Sequence, residues 1–131
     1  MDNKTLIAVA ILLTFHYVAD FILQTDMQAK MKSSDNRFLG VHCFVYAMTV
    51  TLGFIMLKIS GMLPQDYNIP AVSSVLIASH FTIDYVTSRI NKKLYISGRH
   101  HEFFVVVGLD QLLHSLILLI LLVSFWFLFF F

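Results

Sequence analysis

Three histidine–aspartate pairs, each four residues apart, lie inside otherwise apolar stretches: His16-Tyr-Val-Ala-Asp20, His80-Phe-Thr-Ile-Asp84 and, in reverse order, Asp110-Gln-Leu-Leu-His114. A fourth apolar stretch carries His42 alone. Residues four apart share a helix face, so each pair presents an imidazole and a carboxylate side by side. Imidazole with carboxylate is a natural ligand set for zinc, manganese or iron. Three carboxylates gathered in one place repel one another unless they are protonated or neutralised by a cation. A divalent metal ion neutralises them, either as one ion with the remaining carboxylates hydrogen-bonded around it or as two ions sharing them. His16, Asp20, His42, His80, Asp84, Asp110 and His114 are therefore the expected metal-binding residues.

The rest of the chain must hold these groups together. Of its 131 residues 58% are hydrophobic and only 13% charged, where a soluble domain has about a quarter charged. This composition implies an integral membrane protein. Net charge is +1 with no basic run, which argues against nucleic acid as a partner. The single Cys43 excludes an intramolecular disulfide. Apolar segments at about 5–23, 38–57, 71–90 and 103–131 are each long enough to cross a bilayer, which takes roughly 20 residues. The first contains His16 and Asp20 and has no small-x-small site at its end, so it reads as a retained span rather than a signal peptide. The last ends in aromatic residues around Trp126, suited to a membrane interface. Four spans with short connections predict a single all-α domain, an integral membrane antiparallel four-helix bundle.

Lysine and arginine set the expected orientation. The connections after the first and third spans, together with the adjoining span edge, hold Lys30, Lys32, Arg37, Arg89, Lys92, Lys93 and Arg99, against Lys4 and Lys58 on the opposite side. The positive-inside rule then puts those two connections in the cytoplasm and both termini outside. From the helical rise, Asp20, His42, Asp84 and Asp110 fall ~5 to 11 Å from the cytoplasmic end of their spans, and His16, His80 and His114 ~11 to 17 Å. The carboxylates of all three pairs lie nearer the cytoplasm, and the reversed order in the fourth span is what its opposite direction requires. Facing lipid, each such group would cost ~2.5 to 3.5 kcal/mol, so they are expected to face inward and to meet.

Other residues are candidates around this layer. Gln24 lies one turn beyond Asp20 and, with Lys30 and Gln111, is a candidate for binding substrate. Tyr46 and Thr87 offer hydroxyls beside the cluster. Lys30, Lys32 and Arg37 sit at the level of anionic headgroups and would also hold a phosphate at the mouth of the site. His100-His101-Glu102 resembles a ligand triplet, but adjacent residues in a polar loop diverge.

The segments His16-Tyr-Val-Ala-Asp20-Phe-Ile-Leu-Gln24, Leu39-Gly-Val-His42, His80-Phe-Thr-Ile-Asp84-Tyr and Leu109-Asp110-Gln111-Leu-Leu-His114 resemble the signature of a small bacterial and phage membrane family of unknown function, over nearly the whole chain. The run from Ser79 to Thr87 is also similar to one motif of inner-membrane metal-dependent hydrolases, whose further Asp-x-Asp-His and Thr-His-Ser motifs this chain lacks. The resemblance implies a bacterial or phage membrane protein with these polar positions as its site, and the bacterial inner membrane is the expected location.

The expected function is a metal-dependent membrane hydrolase acting on a lipid-linked or amphipathic phosphate or ester from the cytoplasmic side. Zinc or manganese would be the cofactor, and Asp20 or Asp110 the general base or acid. The alternative is a proton- or cation-coupled carrier or channel component using the same cluster, which would need a homo-oligomer. A third is a non-catalytic protein with a structural metal, and the bland reading is that the pairs only tie helices together. Membrane lipid is the expected partner.

Overall fold

Each long helix carries one inward stripe, and every stripe is apolar at one end and polar at the other. In the first helix the buried residues run Ala8, Leu12, His16 and then Asp20; in the third they run Leu57, Phe54, Val50, Tyr46, His42. The later helices bury Val72, Leu76, His80, Asp84, Thr87 and, reversed, Leu122, Leu118, His114, Asp110. These three- and four-residue steps keep one face of a helix turned inward. Packing the apolar halves together brings the polar halves together as well.

A computed structural model describes residues 3–130, and side chains as far as Ser124. It is helical throughout, with no strand among the described residues. Helix α1 (Asn3–Tyr17) continues into one π turn (Val18–Ile22); α2 (Asp26–Met31) is short; α3 (Asn36–Ile59), α4 (Ile69–Ile96) and α5 (His100–Phe130) follow. α1 with its π turn, α3, α4 and α5 to Ser124 are long and apolar enough to cross a membrane. α3 is the central element, with half of its apolar window buried against 17–28% for the others. It contacts α1, the π turn, α2 and α4, while α5 packs on α4 and α1.

Many large apolar residues point outward, among them Leu6, Phe44, Met48, Leu52, Val75, Leu112 and Ile120. Inside, Leu12, Val50, Phe54, Leu57, Leu76, Leu118 and Leu122 form the core away from the polar layer. At Gly53 a β-carbon would stand 3.1 Å from the Phe15 ring, so glycine there lets α1 lie close on α3. The core is closed at its apolar end by Leu63 and Tyr67, whose hydroxyl donates to the Leu121 carbonyl (2.8 Å).

Three boundaries differ from the sequence expectation. The polar stretch after the first span contains α2, started by a capping box in which Thr25 and Gln28 each accept a hydrogen bond from the other's backbone N–H. α4 runs on to Ile96, because lysines and leucine at 92–94 are good helix formers even where the apolar run has ended. The turn is made by Gly98 at φ +70°, a left-handed conformation that glycine adopts freely. α5 starts at His100, three residues before the expected apolar start, with Arg99 paired to Glu102 at 2.9 Å across its first turn. The aromatic end 125–131 lies outside the described side chains.

Candidate metal centre

Four buried side chains converge on one point. His42 Nε2 stands 3.0 Å from His80 Nε2, 3.1 Å from Asp20 Oδ1 and 3.4 Å from Asp84 Oδ2. His80 Nε2 is 3.7 Å from both of those carboxylate oxygens. Each of the four residues is at most 5% exposed. One imidazole nitrogen carries at most one proton and cannot satisfy a second imidazole nitrogen and two carboxylates together. A cation can. Donors about 2.0–2.2 Å from a common tetrahedral centre stand roughly 3.3–3.6 Å from one another, and the observed separations straddle that range.

The elements explain why these atoms meet. Asp20 sits on the π turn, an irregularity that widens the helix locally and is frequent at functional sites. His42 projects from the central helix α3, and His80 and Asp84 share one face of α4. The His80 ring lies flat on Tyr46, with centroids 3.7 Å apart and planes 18° from parallel, which fixes its orientation.

A second set completes the layer. Asp20, Asp110 and His114 also offer ligand atoms within 4.8 Å of one another. His114 Nδ1 is 3.5 Å from Asp110 Oδ2, and its Nε2 is 3.8 Å from Asp84 Oδ1. Nε2 has no hydrogen-bond partner among the described residues, although the side chain is 2% exposed. Asp110 accepts from the Thr87 hydroxyl and from Gln111.

His16 is placed differently from the other histidines. Its Nδ1 is 3.0 Å from the Tyr46 hydroxyl and its Nε2 3.0 Å from Gln111 Oε1. With the proton on Nε2, Tyr46 donates to His16, and His16 donates to Gln111. The Gln111 amide nitrogen then donates to Asp20 Oδ2 at 2.8 Å and Asp110 Oδ2 at 3.0 Å. His16 thus belongs to neither ligand set and acts through Gln111, which holds two carboxylates at fixed positions. Replacing Tyr46 with phenylalanine leaves the buried Nδ1 without a donor. The expected cost is about 1–3 kcal/mol of stability, read by denaturant unfolding.

Above the cluster a cavity of about 570 Å³ reaches the surface at the end of the bundle that carries the basic connections. Its lining includes the carboxylates Asp20, Asp84 and Asp110, the amides Gln24 and Gln111, the cations Lys30, Lys32 and Lys92, and the apolar Phe21, Phe103 and Val107. Gln24 also approaches both ring nitrogens of His42, at 3.1 and 3.3 Å. Cys43 is buried beside the cluster but belongs to neither ligand set.

Lys32, rather than Lys30, reaches the carboxylates. Its Nζ donates to Asp84 Oδ2 at 2.7 Å. Burial pulls the ammonium pKa down, but Asp84 and Asp20 outweigh it and hold the group above the usual lysine range. The connection carrying it is tied to α4, where Lys92 donates to Ser34 and Arg89 to Asn36. A lysine between polar residues has no periodic signal to mark it. The signal that points to it is charge, since three buried carboxylates need cations and the nearest connection supplies one.

Fold and site together define an all-helical chain with four membrane-length apolar helices around a buried histidine–aspartate cluster able to hold a metal ion. Residues 8–130 match the family described as "Protein of unknown function (DUF3307)", and the chain belongs to that family. No curated protein and no solved structure matches it.

Proposed function

We propose that the chain is an integral membrane protein, an antiparallel four-helix bundle holding a divalent metal ion, zinc or manganese, and that it hydrolyses a phosphate or ester on an amphipathic, lipid-linked substrate. The observation that carries this reading is the convergence of His42, His80, Asp20 and Asp84, whose donor atoms are spaced as about a common tetrahedral centre. The distribution of lysine and arginine supports a bacterial inner-membrane orientation with the cavity open to the cytoplasm and both termini outside.

The four donors would hold the ion, which supplies Lewis acidity and makes water acidic enough to ionise near neutral pH. The protein's own groups do the rest. Lys30 and Lys92 in the cavity wall attract the anionic headgroup, while Phe21, Phe103 and Val107 accept its apolar portion. Asp110 lines the cavity, oriented by Thr87 and Gln111, and is placed to take a proton from attacking water. Asp20, one of the four donors, is held by the same Gln111.

A second reading, a proton- or cation-coupled carrier, is favoured by one observation. The run Tyr46, His16, Gln111, Asp20 is a continuous set of hydrogen bonds entering the cluster, and intramembrane histidines and aspartates such as those gathered here are the groups that relay protons in pumps. Metal analysis of the purified protein comes first, followed by phosphate release from lipid phosphates in mixed micelles and proton-coupled uptake in vesicles. Bound metal with phosphate release supports the hydrolase, and uptake without release supports the carrier. Absence of metal from folded protein sinks the metal-centre reading.

A further inference from the structure

Two donor sets, not one, are built into the polar layer, and they share a residue: Asp20, His42, His80 and Asp84 form the first, and Asp20, Asp110 and His114 the second. We propose that the layer holds a pair of divalent ions bridged by the Asp20 carboxylate. This rests on the metal-centre reading above and specifies it.

The two oxygens of Asp20 have different partners, as a bridge requires. Oδ1 faces His42 at 3.1 Å and His80 at 3.7 Å. Oδ2 is on the Gln111 side, where the same amide also holds Asp110. Asp84 straddles the sets in the same way, with Oδ2 near His42 and Oδ1 3.8 Å from His114 Nε2. The independent mark of the second position is His114. It is 2% exposed and aimed between Asp110 and Asp84. Nδ1 has the Asp110 carboxylate 3.5 Å away, while Nε2, 3.8 Å from Asp84, is the nitrogen left without a hydrogen bond among the described residues. A buried polar atom left so is costly unless something else completes it, and a metal ion would do so. The His80 and His114 rings, one from each set, are neighbours with centroids 4.2 Å apart, so the two donor sets adjoin.

Charge gives the pair a purpose. Three aspartates are offset by Lys32 and one divalent ion, so the layer itself is then neutral and only Lys30 and Lys92 in the cavity lining would attract an anion. A second ion leaves two positive charges, the complement of a phosphate monoester dianion. Two ions also clamp both the attacking and the leaving oxygen of a phosphoryl group. Asp110 would ligate through one oxygen and keep the other for the proton. The ligand class is therefore a phosphate monoester, and inorganic phosphate should bind as its product.

The test uses the full chain in detergent, saturated with manganese and freed of excess by gel filtration, with metal counted by mass spectrometry and the spins read by electron paramagnetic resonance. The expected result is about two ions per chain with the spectrum of an exchange-coupled pair, altered by inorganic phosphate. Asp20→Asn should lose the coupling, and His114→Gln should keep about one ion with an isolated six-line signal. A single uncoupled ion in saturated wild type overturns the pair but leaves a mononuclear centre standing. Binding of no ion overturns both. If Asp20→Asn fails to fold, His114→Gln still decides, because a coupled pair persisting in it overturns the proposal. Failure of inorganic phosphate to perturb a coupled pair overturns the ligand assignment.

Discussion

His80→Ala should purify with less than about a tenth of the wild-type metal content and bind added zinc or manganese at least roughly 100-fold more weakly. Even residues that only support a ligand commonly cost 10–100-fold in metal affinity, and His80 is one of the four donors themselves. Its loss removes one corner of the donor set, and the remaining His42 Nε2 keeps its two carboxylates at 3.1 and 3.4 Å without the second nitrogen. Because the ring also stacks on Tyr46 at 3.7 Å, the alanine variant loses packing as well. Folding and binding must therefore be read separately. Metal at 100 times its dissociation constant stabilises the folded state by about 2.7 kcal/mol, so wild-type protein should melt several degrees higher with metal than without it. His80→Ala should melt lower than wild type in the absence of metal and gain almost nothing when metal is added. His101→Ala, exposed near the start of α5, should leave both the melt and the metal response as in wild type. A metal response in His80→Ala as large as that of wild type would remove His80 from the ligand set.

The feature most open to sequence reading was the polar layer, because its signal is periodic and physically costly. Histidine and aspartate four apart inside apolar stretches leave few arrangements, and the depth count already put Asp20, His42, Asp84 and Asp110 at one level. The structure gathers those groups with His80 and His114. What spacing could not convey was direction within the layer. The π turn at Val18–Ile22 follows no glycine or proline, yet it carries Asp20 to the shared position. His16 looked equivalent to His80 and His114, but its ring nitrogens are occupied by Tyr46 and Gln111, an assignment made by α3 and α5 rather than by its own helix. Lys32 entered through the tertiary tie of its connection to α4, which no local pattern encodes.

Lys32→Met separates the two ways in which the protein can neutralise its carboxylates, and the metal-free and metal-loaded forms should respond with opposite sign. Methionine keeps much of the stem volume but removes the charge, leaving Asp84, 1% exposed, without its 2.7 Å partner. Breaking a buried pair by deleting one member typically costs 3–5 kcal/mol, because the surviving charge stays buried. With Lys32 itself partly exposed at 17%, a loss of about 3 kcal/mol is expected for the metal-free protein. The ammonium pKa is raised in the folded state, so its contribution is present in full below the unfolded value, about 10.5. It is lost only as pH rises through the higher folded value. The lysine's own contribution to the difference between metal-free wild type and Lys32→Met should therefore be lost only as pH rises above about 10.5. Metal binding should change the other way. The ammonium and a divalent ion compete for Asp84 and repel each other, so removing the ammonium tightens metal binding, and saturating metal should recover most of the lost stability. Calorimetric titration with zinc and thermal melts with and without it measure both halves. Weaker metal binding in Lys32→Met would mean that the lysine supports the ion instead of standing in for it.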